Sequence, residues 1–358
     1  MYYELWLRYM KINKSLDIEM NKILKEDIDN FASSFKLLDF PNGSKILITG
    51  ATGLIGSTLV RCLLALNKDI QITCPIRNLK KVKAIYGEEV ESIRFIECNL
   101  VAYLNNLTEK DNFQYIIHCA SPTAGKYMTE HPVDTYMLAI DSTRAILEYA
   151  RKVQTTDIVY VSSLECYGQN FDDVLITENM QGYVNNTDPR SSYPLGKRAA
   201  EYLCAAYAKQ FDVNVKVARL TQTFGAGVSA DDNRVFAQFA RSVIEGKNIV
   251  MHTKGESAKP YCYTTDCVSA ILYILLRGEK GEAYNVANQE TYISIKDMAK
   301  FLCTHFNPQL KVVIEEHPEM GYAPVTKLNL STEKLKSLGW LPRYGLYEMF
   351  DRLIKSFR

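Results

Sequence analysis

Tyr193 and Lys197 stand at i and i+4 in "SYPLGKRAAE", so a helix through this stretch projects both from one face. An ammonium beside a phenol favours the phenolate and brings the tyrosine toward a working proton acceptor. Ser163 ends the apolar run "DIVYVSS" and supplies a hydroxyl that can hold a substrate oxygen in line with Tyr193. Glu165 follows in "SSLECYG", an acid in apolar company, where it can keep a proton to donate if its surroundings hold its pKa high. Plainer readings exist: YxxxK occurs by chance, and an acid after a strand end is usually solvated. The combination speaks against both.

Taking a proton from an alcohol oxidises nothing unless hydride leaves the same carbon, so an acceptor is needed. "ITGATGLIGS" puts Gly50, Gly53 and Gly56 between a short apolar strand and a helix. Gly50 permits the tight turn, Gly53 lets backbone N–H groups reach a pyrophosphate, and Gly56 lets helix and strand approach. The helix N-terminus adds the positive end of its dipole. This predicts a nicotinamide dinucleotide site. The second strand, "IQITCPIRNLKK", ends without an acid for the ribose hydroxyls and offers Arg77, Lys80 and Lys81 instead. An arginine there suits the 2′-phosphate of NADP, or is a solvated basic helix start, so NAD and NADP both stay open.

Strands alternating with helices must position these groups. "KILIT" (45–49), "IQITC", "IRFIE", "YIIHCA", "DIVYVSS" and "DVNVKVARL" read as strands. Helices are expected over 54–67, from Pro132 to about Arg151, and through "SYPLGKRAAEYLCAAYAKQF". That rhythm predicts an α/β fold, a Rossmann-type doubly wound parallel sheet over 44–220. Beyond residue 220 it loosens into helices near 233–246, 265–277 and 294–306 with short strands. Residues 221–358 are therefore expected to form a smaller substrate lobe, its elements interleaved with the sheet domain, completing a cleft at the sheet's carboxyl edge. Residues 1–43 read as a helical N-terminal extension with Ile18, Ile23, Leu24, Ile28 and Phe31 near one face, stopped by "DFPNGS".

Bulk properties exclude several classes. A net charge of +1 gives no polyanion-binding surface, so no nucleic acid partner is expected. The nine cysteines contain no CxxC pair and lie mostly in apolar runs, which predicts buried reduced thiols and no metal site. No apolar run reaches the length of a membrane span, and "MYYELWLRYMKINK" is not a secretory signal, so a cytoplasmic protein is expected.

With these stretches in hand, the chain resembles the extended short-chain dehydrogenase/reductases of the nucleotide-sugar epimerase, dehydratase and decarboxylase group. The resemblance covers roughly residues 44–340, with "TGATGLIG", "HCAS", "SSLECYG", "YPLGK" and "ARLTQTFG" in the family's order. It implies a homodimer in many members, NAD(H) or less often NADP(H) in the sheet domain, and a nucleoside-diphosphate sugar in the smaller lobe. It assigns the cofactor to Gly50, Thr52, Gly53, Leu54, Ile55, Gly56, Arg77, Asn99, Leu100, Ala120, Ser121, Tyr193 and Lys197. It assigns catalysis to Ser163, Tyr193, Lys197 and Glu165, and the substrate to Ser121, Arg190, Gln222, Arg234 and Lys259.

Within the group, "HCASPTAGKYMTEHP", "TENMQGYVNNTDPRSSYPLGKRAAE" and "NRVFAQFARSVIEGKNI" are most similar to UDP-glucuronate decarboxylases. That similarity implies oxidation of a hexuronate at C4 to a β-keto acid that loses CO₂. Arg234 would hold the sugar carboxylate and Glu165 would protonate the enolate. A dehydratase also needs an acid just before the glutamate, and Leu164 stands there. A 4-epimerase or a 4-ketoreductase stays open; a non-catalytic sugar-nucleotide binder is weakened by the intact Ser163, Tyr193 and Lys197. The chain departs from the family at Gln222, at Lys259 (usually arginine), at Asn99 and at Ala139.

Overall fold

The computed structural model describes residues 20–36, 43–122, 125–153, 157–169, 174–317 and 324–358. The described chain opens with α1 (Lys22–Ser34), then β1 (Ser44–Thr49), α2 (Leu54–Ala65), β2 (Ile70–Ile76), α3 (Leu79–Tyr86), β3 (Arg94–Glu97) and α4 (Leu100–Asn105). There follow β4 (Tyr115–His118), α5 (Gly125–Glu130), α6 (Pro132–Val153), β5 (Asp157–Ser163), β6 (Leu175–Ile176), α7 (Ser192–Phe211), β7 (Val215–Leu220) and β8 (Gln222–Phe224). The last part holds α8 (Val235–Glu245), β9 (Ile249–Met251), β10 (Ala258–Tyr263), α9 (Thr264–Arg277), β11 (Ala283–Val286) and β12 (Asn288–Ser294). It ends in α10 (Ile295–Phe306), β13 (Val312–Ile314), β14 (Asn329–Leu330), α11 (Glu333–Ser337) and α12 (Leu346–Phe357).

The inner strands are near-continuous apolar runs because both faces of their sheet are covered. Seven strands run in the order β11-β7-β5-β4-β1-β2-β3, each neighbouring pair parallel. The order reverses between β1 and β4, where Thr49 lies opposite His118. A crevice opens at the carboxyl ends on either side of such a reversal, and it receives the ligand in open α/β sheets. One face packs against α1, α2 and α9 through residues such as Leu24, Leu59, Val268 and Leu272. The other packs against α6 and α7 through Leu47, Ile146, Tyr149 and Cys204.

The smaller lobe is built on β8, β10 and β12, with β9 and β13 as a separate parallel pair. Its core gathers α8, α10 and α12 around Phe224, which stacks on Phe236 at 4.5 Å between ring centres. Parts of the chain after residue 220 cross back: α9 and β11 complete the large sheet and its helical layer, and Leu335 of α11 packs into the same core.

The first described helix is capped at both ends of a short apolar stripe. Asn21 accepts the Ile23 and Leu24 N–H groups, so the helix starts at Lys22. Its buried stripe holds Leu24, Ile28 and Phe31, with the acid Asp27 among them. Ile18 and most of the expected "DFPNGS" turn lie outside the described residues. All nine cysteines are free thiols, buried except for the half-buried Cys98 and Cys119. Among the described residues, no helix is long and apolar enough to cross a membrane.

Candidate active site

β1 delivers the glycine turn to the reversal point. Gly50 has φ +75°, and a Cβ there would stand 2.8 Å from the Ala120 nitrogen, so two segments meet back to back. A Cβ on Gly56 would lie 2.3 Å from the Gly50 carbonyl oxygen; its absence lets α2 start this close to β1. Gly53 is the N-cap of α2 and no side chain caps it, which leaves the first amides, at Leu54 and Ile55, to donate outward. Thr52 is half-buried beside them. A cradle free of side chains, with a helix dipole behind it, fits a dinucleotide pyrophosphate. Arg77 is exposed just beyond β2. Asn99 caps α4 by accepting the Ala102 N–H, and half-buried Leu100 begins that helix.

The far wall is fixed by a residue to which sequence reading gave no role. The buried His118 ring sits 2.6 Å from Thr49 Oγ1 through Nδ1 and 2.9 Å from Ser142 Oγ through Nε2. The Ser142 hydroxyl donates to the Leu138 carbonyl, so Nε2–H donates to Ser142 and Thr49 donates to Nδ1. Thr49 Oγ1 in turn accepts the Ala120 N–H at 3.1 Å. Burial, with the Lys197 charge adding, pushes the His118 pKa down to about 3, and the ring stays neutral. The relay fixes Ala120 and, with it, the start of the Ser121 segment.

β5 carries the catalytic candidates to the crevice. It ends at Ser163, and a one-turn 3-10 helix over Leu164–Tyr167 follows, with Ser163 Oγ accepting the Glu165 N–H at 3.2 Å. That turn buries Leu164 in an apolar cluster with Tyr167, Ile176, Leu328 and Leu330, and leaves Glu165 exposed at its start. From α7, the Tyr193 hydroxyl hydrogen-bonds both Ser163 and Ser121. Lys197, one turn on, is buried with Nζ donating to the Val161 carbonyl at 2.8 Å, and lies 5.6 Å from the centre of the Tyr193 ring.

The charges around Tyr193 modify the expectation drawn from Lys197. Burial and the Glu165 carboxylate push the phenol above its ordinary value, while the Ser163 and Ser121 hydrogen bonds pull it back. Phenolate therefore needs the positive charge of an oxidised nicotinamide as well as Lys197. Burial lowers the Lys197 pKa to about 8, which keeps it charged at neutral pH.

Glu165 keeps solvent-accessible surface yet is ringed by protein, and desolvation raises its carboxyl; Lys259 and then Lys197 pull the other way. Lys259, half-buried on β10, is lowered by desolvation and supported by Glu165. The fold thus brings Ser121, Ser163, Glu165, Tyr193, Lys197 and Lys259 together.

The other substrate candidates lie differently. Arg234, the N-cap of α8, is bound to Asp232 by Nε at 3.0 Å and Nη2 at 2.6 Å, with its guanidinium 4.8 Å over the Phe236 ring. Gln222 opens β8, half-buried opposite Tyr261. Arg190 is exposed in the turn before α7. Behind the site, Glu201 accepts from Ser162 and holds Arg219, which also donates to the Tyr167 hydroxyl at 3.0 Å. This buried pair braces the 3-10 turn that aims Glu165.

Comparison with known proteins shows the family and the fold. A family model described as the NAD dependent epimerase/dehydratase family matches residues 46–287. UDP-glucuronic acid decarboxylase 1 of Xenopus tropicalis is 27% identical over 362 residues, covering 97% of this chain and 82% of the relative. Among solved structures, UDP-glucose 4-epimerase of Thermotoga maritima with UDP-glucose superposes with a TM-score of 0.75 at 20% identity, covering 87% of this chain and 98% of that one. UDP-glucuronic acid 4-epimerase of Bacillus cereus, in complex with UDP-glucuronic acid and NAD, gives 0.72 at 19% identity, with coverage of 87% and 98%. The chain is an enzyme of the NAD dependent epimerase/dehydratase family.

Proposed function

We propose that the protein decarboxylates a UDP-hexuronate, UDP-glucuronate in the leading case, through a transient 4-keto sugar. The observation that carries this reading is Glu165, an acid with a raised pKa set beside both Tyr193 and Lys259. The name of the Xenopus relative supports the same reaction.

NAD, when bound, supplies the hydride acceptor and returns the hydride at the end. Tyr193 takes the proton of the C4 hydroxyl, which Ser163 holds in line. The resulting β-keto acid breaks its C5–C6 bond, releasing CO₂ and sending the electron pair into the C4 carbonyl. Glu165 then delivers a proton to C5, and Tyr193 returns its own to the C4 oxygen as hydride comes back. Arg234 has the bidentate geometry for the sugar carboxylate, and the incoming anion exchanges with Asp232. Lys259 serves the diphosphate, with Gln222, Arg190 and Ser121 shaping the rest of the pocket. Buried Leu164 has no proton to give a leaving hydroxyl, which speaks against 4,6-dehydration.

NAD is the cofactor in this reading, and exposed Arg77 keeps NADP as the alternative. A homodimer is supported by α6 and α7, which pack together and leave Val133, Met137 and Tyr202 exposed for a second copy. The test is incubation with UDP-glucuronate and NAD⁺, followed by mass spectrometry. Loss of CO₂ is the expected result. An unchanged mass with a new C4 epimer sinks decarboxylation in favour of epimerisation, the reaction named for the Bacillus cereus neighbour. Consumption of NADPH with a 4-keto sugar favours a reductase. Tight binding without turnover favours a sugar-nucleotide binder.

A further inference from the structure

β9 and β13 pair in parallel at the side of the smaller lobe, Ile314 opposite Met251. The pairing runs past both strands. The Glu315 N–H donates to the Met251 carbonyl at 2.8 Å, and the His317 N–H to the His252 carbonyl at 3.2 Å. Backbone bonds thus fix three ligand-type residues side by side, and one donor atom from each of His252, Glu315 and His317 lies within 4.8 Å of the others. The two imidazole rings meet edge to face at 5.1 Å between centres.

The tautomer of His252 follows from its neighbour. Its Nδ1 is 3.4 Å from the Glu315 carbonyl oxygen, which can only accept, so Nδ1 carries the proton and Nε2 keeps its lone pair. A ring N–H donated to a backbone carbonyl is the arrangement that orients metal-ligating histidines.

We propose that His252, Glu315 and His317 bind a divalent transition-metal ion of the zinc, cobalt or nickel class, tying β9 to β13. Two imidazoles and one carboxylate suit these borderline ions; magnesium and calcium take oxygen sets. Bonds of about 2.0–2.2 Å place tetrahedral ligand atoms roughly 3.3 Å apart. Side-chain rotation covers the difference, since His252 and Glu315 are exposed. Three protein ligands leave water at the fourth position. The site shares no residue with the Tyr193 cleft, so it stands apart from the reaction proposed above.

The test uses the untagged full chain, stripped with a chelator and titrated calorimetrically with Zn²⁺. One ion per chain is expected, and no heat with Mg²⁺. H252Q and H317Q should each weaken binding roughly tenfold or more, and the double variant should abolish it. The Co²⁺ form should show d–d absorption without thiolate charge transfer, which separates this site from the nine cysteines. At a hundredfold excess over Kd, Zn²⁺ should raise the thermal midpoint by about 2–4 °C. Metal-free midpoints of the variants should match wild type and exclude misfolding. Zn²⁺ binding that survives the double variant, or fails in wild type, overturns the proposal.

Discussion

The Tyr263 hydroxyl donates to the Asp27 carboxylate at 2.5 Å, joining the N-terminal helix α1 to the end of β10, 236 residues away. Arg352 of α12 donates to the same carboxylate from the other side. Two partners do not offset burial here, and desolvation holds Asp27 up at about 6 against an ordinary 3.8. The folded state therefore binds the proton more tightly than the unfolded chain between those two values. Stability falls as pH rises from about 4 to 6, by an amount on the order of 1–3 kcal/mol, and is flat above. Asn at this position cannot ionise. Wild type should thus lose stability relative to D27N over that window, as read by denaturant midpoints at pH 4.5 and 7. A gap that moves the other way refutes the assignment.

Two glycines of the cradle make opposite predictions. In G56A the new methyl meets the Gly50 carbonyl oxygen at 2.3 Å, so helix or strand must shift, at a cost of about 1–3 kcal/mol. Gly53 has φ −91° and its Cβ position clears every neighbour by 3.4 Å, so G53A should fold with a stability change within about 0.5 kcal/mol. Its methyl instead occupies the space above the first amides of α2. Calorimetric titration with NAD should show G53A at wild-type midpoint with at least tenfold weaker binding. Unimpaired binding would place the pyrophosphate elsewhere.

The sheet and the Tyr193–Lys197 pair could be read from sequence because both are local patterns. Strands buried on both faces are continuous apolar runs, and one helical turn separates Tyr193 from Lys197. Asp27 was hidden inside an apolar stripe because its partners, Tyr263 and Arg352, come from the far end of the chain. Lys259 meets Glu165 only because the start of β10 comes up against the turn that follows β5, and no spacing in sequence announces that. His252 and His317 share no motif spacing either; parallel pairing of two short strands brings them together. Arg234 is the reverse case: Asp231 and Asp232 stand beside it in sequence, and the fold pairs it with Asp232.

Tyr193 should be the group without which oxidation fails. Y193F is expected to lose about 10²–10⁴ in kcat, because in the proposed reaction its ring has no hydroxyl to take the C4 proton. The Ser121 and Ser163 hydrogen bonds lower the Tyr193 pKa. Removing the Ser121 bond in S121A raises that pKa, and activity that needs the phenolate climbs with pH through it. The ascending limb of the kcat profile should therefore move to higher pH in S121A. A limb that stays in place assigns it to another group.

Glu165 and Lys259 set the descending limb. In the proposed decarboxylation Glu165 must be protonated to quench the enolate, so turnover should fall as pH rises through its pKa. Desolvation by the surrounding protein raises that pKa and the Lys259 charge lowers it. K259M removes the lowering charge, and its descending limb should move upward; K259R keeps the charge and should leave the limb in place. Weaker phosphate binding by K259M raises KM, so the limb is read from kcat. E165Q has no proton to give, so repeated turnover should stop, while absorbance of reduced nicotinamide still forms in a single-turnover mixture with UDP-glucuronate. Sustained decarboxylation by E165Q, or a downward limb in K259M, removes Glu165 from the proton-donor role.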